Sequence, residues 1–192
     1  MSTETATTSE PVAVPLTGSR VGWVFLSLTR IAIGFIFLWA FFDKLLGLGF
    51  STCRQDDGSI KYLCDDAWVN GARITEGYLG SSTGPFADFF ADLGKQAWTD
   101  WPFMLGLFGI GFALCFGVGT KLVMFAGPAM LALMYVSHYW PGTAGAMQNP
   151  FVEEHMVEAL AIIGIVLVEL GHQSIGFGTW WRKKVGVKHW TV

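Results

Sequence analysis

Four stretches of this chain are apolar over the length that crosses a lipid bilayer, and that restricts the fold before anything else is read. A spanning helix needs about 20 predominantly apolar residues. Residues 21–42 form one such stretch, broken only by Arg30; residues 101–120 form a second with no charge at all. Residues 122–140 are the third, with His138 near its end. Residues 151–170 are the fourth and carry Glu153, Glu154, His155, Glu158 and Glu169. Polar groups at that depth must face protein or water rather than lipid. Only 14% of the chain is charged, against about 25% in soluble domains, and those charges collect in the tails and one loop. The expectation is an all-α membrane protein, a four-helix transmembrane bundle in one domain over residues 21–172. A tail of residues 1–20, Ser/Thr-rich and expected to be disordered, precedes it, and a basic tail of residues 173–192 follows. No basic segment precedes an apolar run at the start, so the first span is expected to act as signal and anchor together.

The lysines and arginines orient the bundle. Arg182, Lys183, Lys184 and Lys188 follow the fourth stretch with no acid among them. Lys121 sits in the short turn after the second stretch, and Arg20 precedes the first. Residues 43–100 carry more acids than bases, and the loop between the third and fourth stretches has neither Lys nor Arg. Cytoplasmic flanks are enriched in Lys and Arg, which puts both termini in the cytoplasm and residues 43–100 outside. Gly119, Thr120 and Lys121 alone separate the second and third stretches, forcing an antiparallel hairpin. Gly109, Ala113 and Gly117 recur at every fourth position and predict a close helix contact, and Pro128 predicts a kink in the third span. Trp residues fall near the span ends, where interfacial anchors belong.

The external segment is too long for a simple connector. Cys53 and Cys64 bracket a turn signal, Asp57-Gly58, and in an oxidising compartment they predict a structural disulfide. Residues 85–98 predict an amphipathic helix with Pro85 at its first position. Its face of Phe86, Phe89, Phe90, Leu93 and Ala97 would rest on the membrane surface or cover the bundle. Cys115 reads as a buried apolar residue.

Arg30 is the most informative polar residue, because a lone charge in hydrocarbon is costly and demands a partner. His155, Glu158, Ile162, Ile165, Glu169 and His172 share one face of the fourth helix. Arg30, Gly34, Phe37, Phe41 and Lys44 share a face of the first. If these faces meet, Arg30 pairs with Glu158, with Glu169 as the other acid in reach. Asp43, Lys44, His138, Glu154 and His155 would gather above, at an outer mouth walled by Phe37, Phe41 and Tyr135. Two readings stay open: an ion pair that fixes helix register, or a pocket for a polar head beside an apolar channel, a shape suited to quinone. His138 and His155 would then relay protons. No metal set is expected, since His155 and Glu158 lack a second matching motif. No basic–aromatic stretch favours nucleic acid, and no two halves repeat as in many transporters.

Three stretches resemble the DoxX/DoxD family of small four-helix membrane proteins: residues 30–45 from Arg30 through Gly34 and Asp43-Lys44-Leu45; Gly77-Tyr78-Leu79-Gly80 with Gly84-Pro85-Phe86 after it; and Asn149-Pro150-Phe151 leading into Glu154, His155 and Glu158. The chain departs from that family in carrying bulky Ala40-Phe41-Phe42 before Asp43. The resemblance implies the plasma membrane of a prokaryote and a subunit like those of thiosulfate:quinone oxidoreductase, passing electrons from a sulfur compound to quinone. By position it carries over Arg30, Lys44, His155 and Glu158, with reaction roles for Arg30, His155 and Glu158; the polar grouping above adds Asp43, His138, Glu154 and Phe41 beside Lys44 around a bound molecule. No flavin, haem or iron–sulfur motif is visible, so a redox partner protein or second subunit would supply the electron-carrying centre. The alternative function is a non-catalytic scaffold or accessory subunit. A thiol–quinone oxidase would need a second cysteine pair, and only Cys115 remains.

Overall fold

A computed structural model describes residues 20–143, 152–173 and 175–186. The expectations for the N-terminal tail, for Asn149-Pro150-Phe151 and for Lys188 lie outside those residues. The described chain is helical, with helices α1 (Arg20–Leu46), α2 (Ile74–Gly80), α3 (Ala87–Gly94), α4 (Asp100–Phe116), α5 (Thr120–His138), α6 (Glu154–Glu169) and α7 (Gly178–Val185). Short 3₁₀ turns occupy Trp68–Asn70 and Ala97–Thr99. Among the described residues, three helices are long and apolar enough to cross a membrane: α1, α5, and α4 with the turn that leads into it. Large apolar side chains such as Phe25, Phe35, Leu105, Phe125 and Leu160 point outward, as a lipid-facing surface requires and a water-facing one would not tolerate.

Helix α1 packs on α4, and α6 packs on α5 and more lightly on α1. The α1–α4 contact passes through two glycines. A Cβ on Gly34 would come within 2.7 Å of the Cys115 backbone nitrogen, and one on Gly111 within 2.7 Å of the Leu38 nitrogen. The expected small-residue face is therefore corrected in part. Gly109 faces open space, whereas Ala113 is buried and Gly117 closes α4 in a left-handed conformation with φ 73°. Between the helices lie Ile33, Phe37, Met104, Leu114, Ile162 and Val166, all buried. Helix α5 runs continuously through Pro128.

At the end of the bundle where α7 lies, here termed inner, the helices are closed by side chains rather than by helix geometry. The last carbonyls of a helix have no intrahelical partner. Here Gly117 N and Val118 N both donate to Ala113 O, so the Leu114 carbonyl is left over, and the Arg30 guanidinium donates to it. Phe177 N donates to Phe116 O at 2.8 Å, and Gln173 Nε2 to Gly117 O at 3.1 Å. Arg182 likewise donates to the carbonyls of Glu169 and Leu170, each at 3.2 Å.

At the opposite end, termed outer, Cys53 and Cys64 are disulfide-bonded, as their spacing predicts. Gly58 turns the enclosed hairpin with φ 82°, and Ser59 N donates to Asp57 Oδ1 at 2.9 Å. The amphipathic helix is shorter than expected: α3 starts at Ala87 rather than Pro85 and stops at Gly94. Its apolar face also divides, with Phe90 buried and Phe86 and Phe89 exposed. Helices α2 and α3 pack together and lie over the outer halves of α4 and α5. Asp100, at the start of α4, pins them there. It accepts from Thr75 N and Thr75 Oγ1, each at 2.7 Å, and from Arg73 Nε at 2.6 Å.

Candidate functional site

The residues that the sequence groups into one outward pocket fall in three places. Arg30 is 1% exposed, and its Nε lies 2.6 Å from Glu169 Oε2. This corrects the expected partner, Glu158. Glu158 stands about three turns further along α6, half-exposed and one turn beyond His155. Ser27 Oγ donates to the other Glu169 oxygen at 2.6 Å, and Arg30 Nη2 donates to Ile175 O at 2.5 Å. Every arm of the guanidinium is thus occupied by protein. The pair is a clasp at the inner end of the bundle, and it lines no outward pocket.

Asp43 and Lys44 form a second group at the outer end of α1. Asp43 is fully buried and organises the turn after the helix. Its Oδ1 accepts from Phe50 N at 2.8 Å, and its Oδ2 from Ser51 N at 3.1 Å and Ser51 Oγ at 2.9 Å. Lys44 Nζ lies 3.3 Å from the same Ser51 hydroxyl. Phe41 packs between the rings of Phe42 and Phe108. Asp43 and Lys44 thus tie down the turn after α1 and Phe41 packs against α4, which corrects their expected place around a bound molecule.

The third group remains near a site. His155 Nδ1 is 2.7 Å from Glu153 Oε1, and Glu153 also accepts from His155 N at 2.8 Å, capping α6. The Tyr139 ring lies 4.7 Å from the His155 ring. Glu154 is exposed beside them. Glu153, Glu154 and His155 hold their ligand atoms within 4.8 Å of one another, but at a helix N-terminus, where the dipole disfavours a cation.

His138 leads to a feature the sequence does not reveal. A cavity of about 400 Å³ lies beneath α2 and α3 and against the outer halves of α4 and α5. Its walls are almost wholly apolar. Phe90, Leu93 and Trp98 come from the external side, and Phe103, Ile110 and Met130 from the spans. Trp98 and Leu133 line it while remaining largely exposed, so the cavity opens on the face that the apolar belt turns to lipid. Pockets of this size and character suit a small molecule with an apolar body and few polar contacts.

The polar contacts sit at one end. Tyr78 is stacked between Phe103, at 5.9 Å, and His138, at 4.2 Å. Its hydroxyl is buried without a hydrogen bond of normal geometry, and burial pushes its pKa up to about 12. A neutral phenol with a free donor results, which is what a buried acceptor on a ligand would use. Ser137, next to His138, is buried and also lines the cavity. The sequence contains a hint of Tyr78 in Gly77-Tyr78-Leu79-Gly80, but nothing there ties it to His138, 60 positions away. Comparison of the chain with protein-family models, curated proteins and solved structures finds no match.

Proposed function

We propose that this protein is the membrane subunit of a respiratory-type redox system and takes a quinone into the cavity beneath α2 and α3. One observation carries the reading: a largely apolar, lipid-facing cavity of about 400 Å³ has at one end a buried phenol that makes no hydrogen bond of normal geometry, with Ser137 as its polar neighbour. A quinone presents a flat apolar ring, a carbonyl acceptor and an apolar tail that needs an exit into lipid. Tyr78 would hold the carbonyl, with Phe103 and Met130 against the ring and the tail leaving past Trp98 and Leu133. When bound, the quinone supplies two-electron redox chemistry that no side chain here can perform. The chain contributes the dry pocket, the donor and a covered outer face. The resemblance to the DoxX/DoxD family makes a sulfur compound such as thiosulfate the electron source, with the electron-carrying centre on a partner protein.

In this reading α6 is the fourth span. Its 16 residues cover about 24 Å, and the connector to α7 completes the crossing. Both termini lie in the cytoplasm of a prokaryote, following the basic residues of α7. The second reading is a non-catalytic scaffold. The observation that favours it is the Arg30–Glu169 clasp, where two fully buried charges serve the fold alone. Purification in mild detergent, extraction of bound lipid and identification of co-purifying proteins separate the two. A stoichiometric quinone supports the redox reading. A cavity holding only phospholipid, with no fluorescence response of Trp98 to a short-chain quinone, leaves the scaffold.

A further inference from the structure

The hydroxyls at the closed end of the cavity connect to the outer surface through one imidazole. Ser137 Oγ lies 2.8 Å from His138 Nδ1 and donates to Met134 O at 2.9 Å. On its other side, His138 Nε2 lies 3.3 Å from Ser81 Oγ. Ser81 is exposed, and its own proton goes to the Tyr78 carbonyl at 2.9 Å. The ring therefore spans from a buried cavity wall to solvent.

A serine has one rotatable proton, and each serine here is within reach of a carbonyl as well as of the ring. The imidazole can therefore hold its proton on either nitrogen, with the serine at the other nitrogen turning its hydroxyl to donate. From these contacts we infer that Ser81, His138 and Ser137 form a proton path from the external face to the Tyr78 end of the cavity.

One transfer proceeds as follows, starting from the Nδ1–H ring. A hydronium ion at Ser81 gives a proton to His138 Nε2 and is left as water. The imidazolium passes its Nδ1 proton to Ser137 Oγ. Ser137 turns its original proton away from Met134 O and into the cavity, onto the Tyr78 oxygen or directly onto an acceptor there. Tyr78 in turn gives up its own proton to the acceptor. The hydroxyls end as they began apart from rotation, and the ring is left as its Nε2–H tautomer, which turns over before a second proton passes. Around the ring stand Tyr78 from α2, Tyr139 from the end of α5, and Glu153 near enough to act on both tyrosines. Neither tyrosine need ionise for the path to work.

The inference rests on the quinone reading. Conversion of a quinone to a quinol takes two electrons from an external donor and two protons, and the path delivers those protons singly. His138→Phe is the central variant, because it keeps a ring stacked on Tyr78 and removes both nitrogens. The full-length protein in nanodiscs is titrated with decyl-ubiquinone and with menadione, and binding is read as the fluorescence quench lost in Trp98→Phe. Bound quinone is then reduced with methyl viologen radical, a donor that carries no proton, with Ala129→Phe, on the α5 wall of the cavity, as the filled-cavity baseline. The path predicts unchanged binding in His138→Phe, with reduction slowed by roughly tenfold or more, as removal of a positioned proton donor does, and partly restored by added imidazole. Nitrogen-15 NMR of the ligand-free protein should show the His138 ring neutral and exchanging its proton between the two nitrogens. No quench in the wild-type protein overturns the quinone reading. A quench with equal reduction rates, or a ring proton locked on one nitrogen, leaves that reading standing and overturns the path. Should His138→Phe not fold, Ser137→Ala carries the same prediction, since it interrupts the path while leaving the stack in place.

Discussion

Replacing Arg30 by leucine removes a charge whose every partner is protein. Glu169, 2% exposed, would keep the Ser27 hydroxyl as a donor and lose its counter-charge. Breaking a buried pair from one side costs about 3–5 kcal/mol, because the remaining ion is uncompensated. Two carbonyls, Leu114 O and Ile175 O, also lose their donor, at about 1–3 kcal/mol for each that water cannot reach. Arg30→Leu should therefore be the more damaging single change and Glu169→Leu the milder. The double variant removes the stranded charge but not the stranded carbonyls, so it should recover part of the loss relative to the sum, a coupling of about 1–3 kcal/mol. Arg30→Lys should recover little, since one ammonium cannot reproduce a fork that reaches a carboxylate and two carbonyls. Equilibrium unfolding in bicelles, with Glu158→Leu as the comparison, measures all of this. Additive losses for Arg30 and Glu169, or a coupling of Arg30 to Glu158 of the same size, would refute the assignment of the pair.

Cys53→Ser with Cys64→Ser should lower stability by up to about 2–3 kcal/mol in the chain-entropy picture, and limited trypsin digestion should then cut at Arg54 or Lys61 where the bridged protein resists. Gly34→Ala should separate α1 from α4, because the new Cβ meets Cys115 backbone at 2.7 Å; overpacking of this kind costs about 1–3 kcal/mol, whereas Gly109→Ala, facing open space, should melt like the parent. Ala129→Phe should fill the cavity and abolish the quinone quench without lowering the melting temperature, and a quench that survives it places the molecule elsewhere. A cysteine at Lys184 should resist an impermeant thiol reagent in intact cells if α7 is cytoplasmic, and ready labelling would reverse the orientation.

The sequence speaks most clearly where the physics is local. Bilayer-length apolar runs give α1, α4 and α5 almost residue for residue, and a turn signal between two external cysteines gives the disulfide. Arg30's need for a partner is also legible, because the cost of an unpaired buried charge does not depend on the fold. The partner's identity is not, because it turns on relative depth. Glu169 is the last residue of α6, and the sequence places it where water would hydrate it, whereas Arg182 and the connector to α7 roof it over. Asp43 and Lys44 misled for a related reason: spacing put them on the right face of α1, but the helix ends at Leu46 and the next turn consumes them. The cavity lies beyond any pattern, since its walls come from α2, α3, α4, α5 and the turn before α4, each with an apolar residue or two that has no distinctive spacing.

The clasp at the inner end of α4 also sets an order of assembly. Three carbonyls there, those of Leu114, Phe116 and Gly117, are satisfied by Arg30, Phe177 and Gln173. Arg30 is already made when α4 leaves the ribosome, but Gln173 follows Gly117 by 56 residues. During synthesis the hairpin of α4 and α5 therefore enters the membrane with its inner end unfinished, and only the arrival of α6 and the segment after it completes the seal. A nascent chain stalled before Gln173 should be recognised by membrane quality-control proteases, while one released after α7 should escape them. The seal at this end of α4 is thus completed by α6 and the segment that follows it, not by the first span alone.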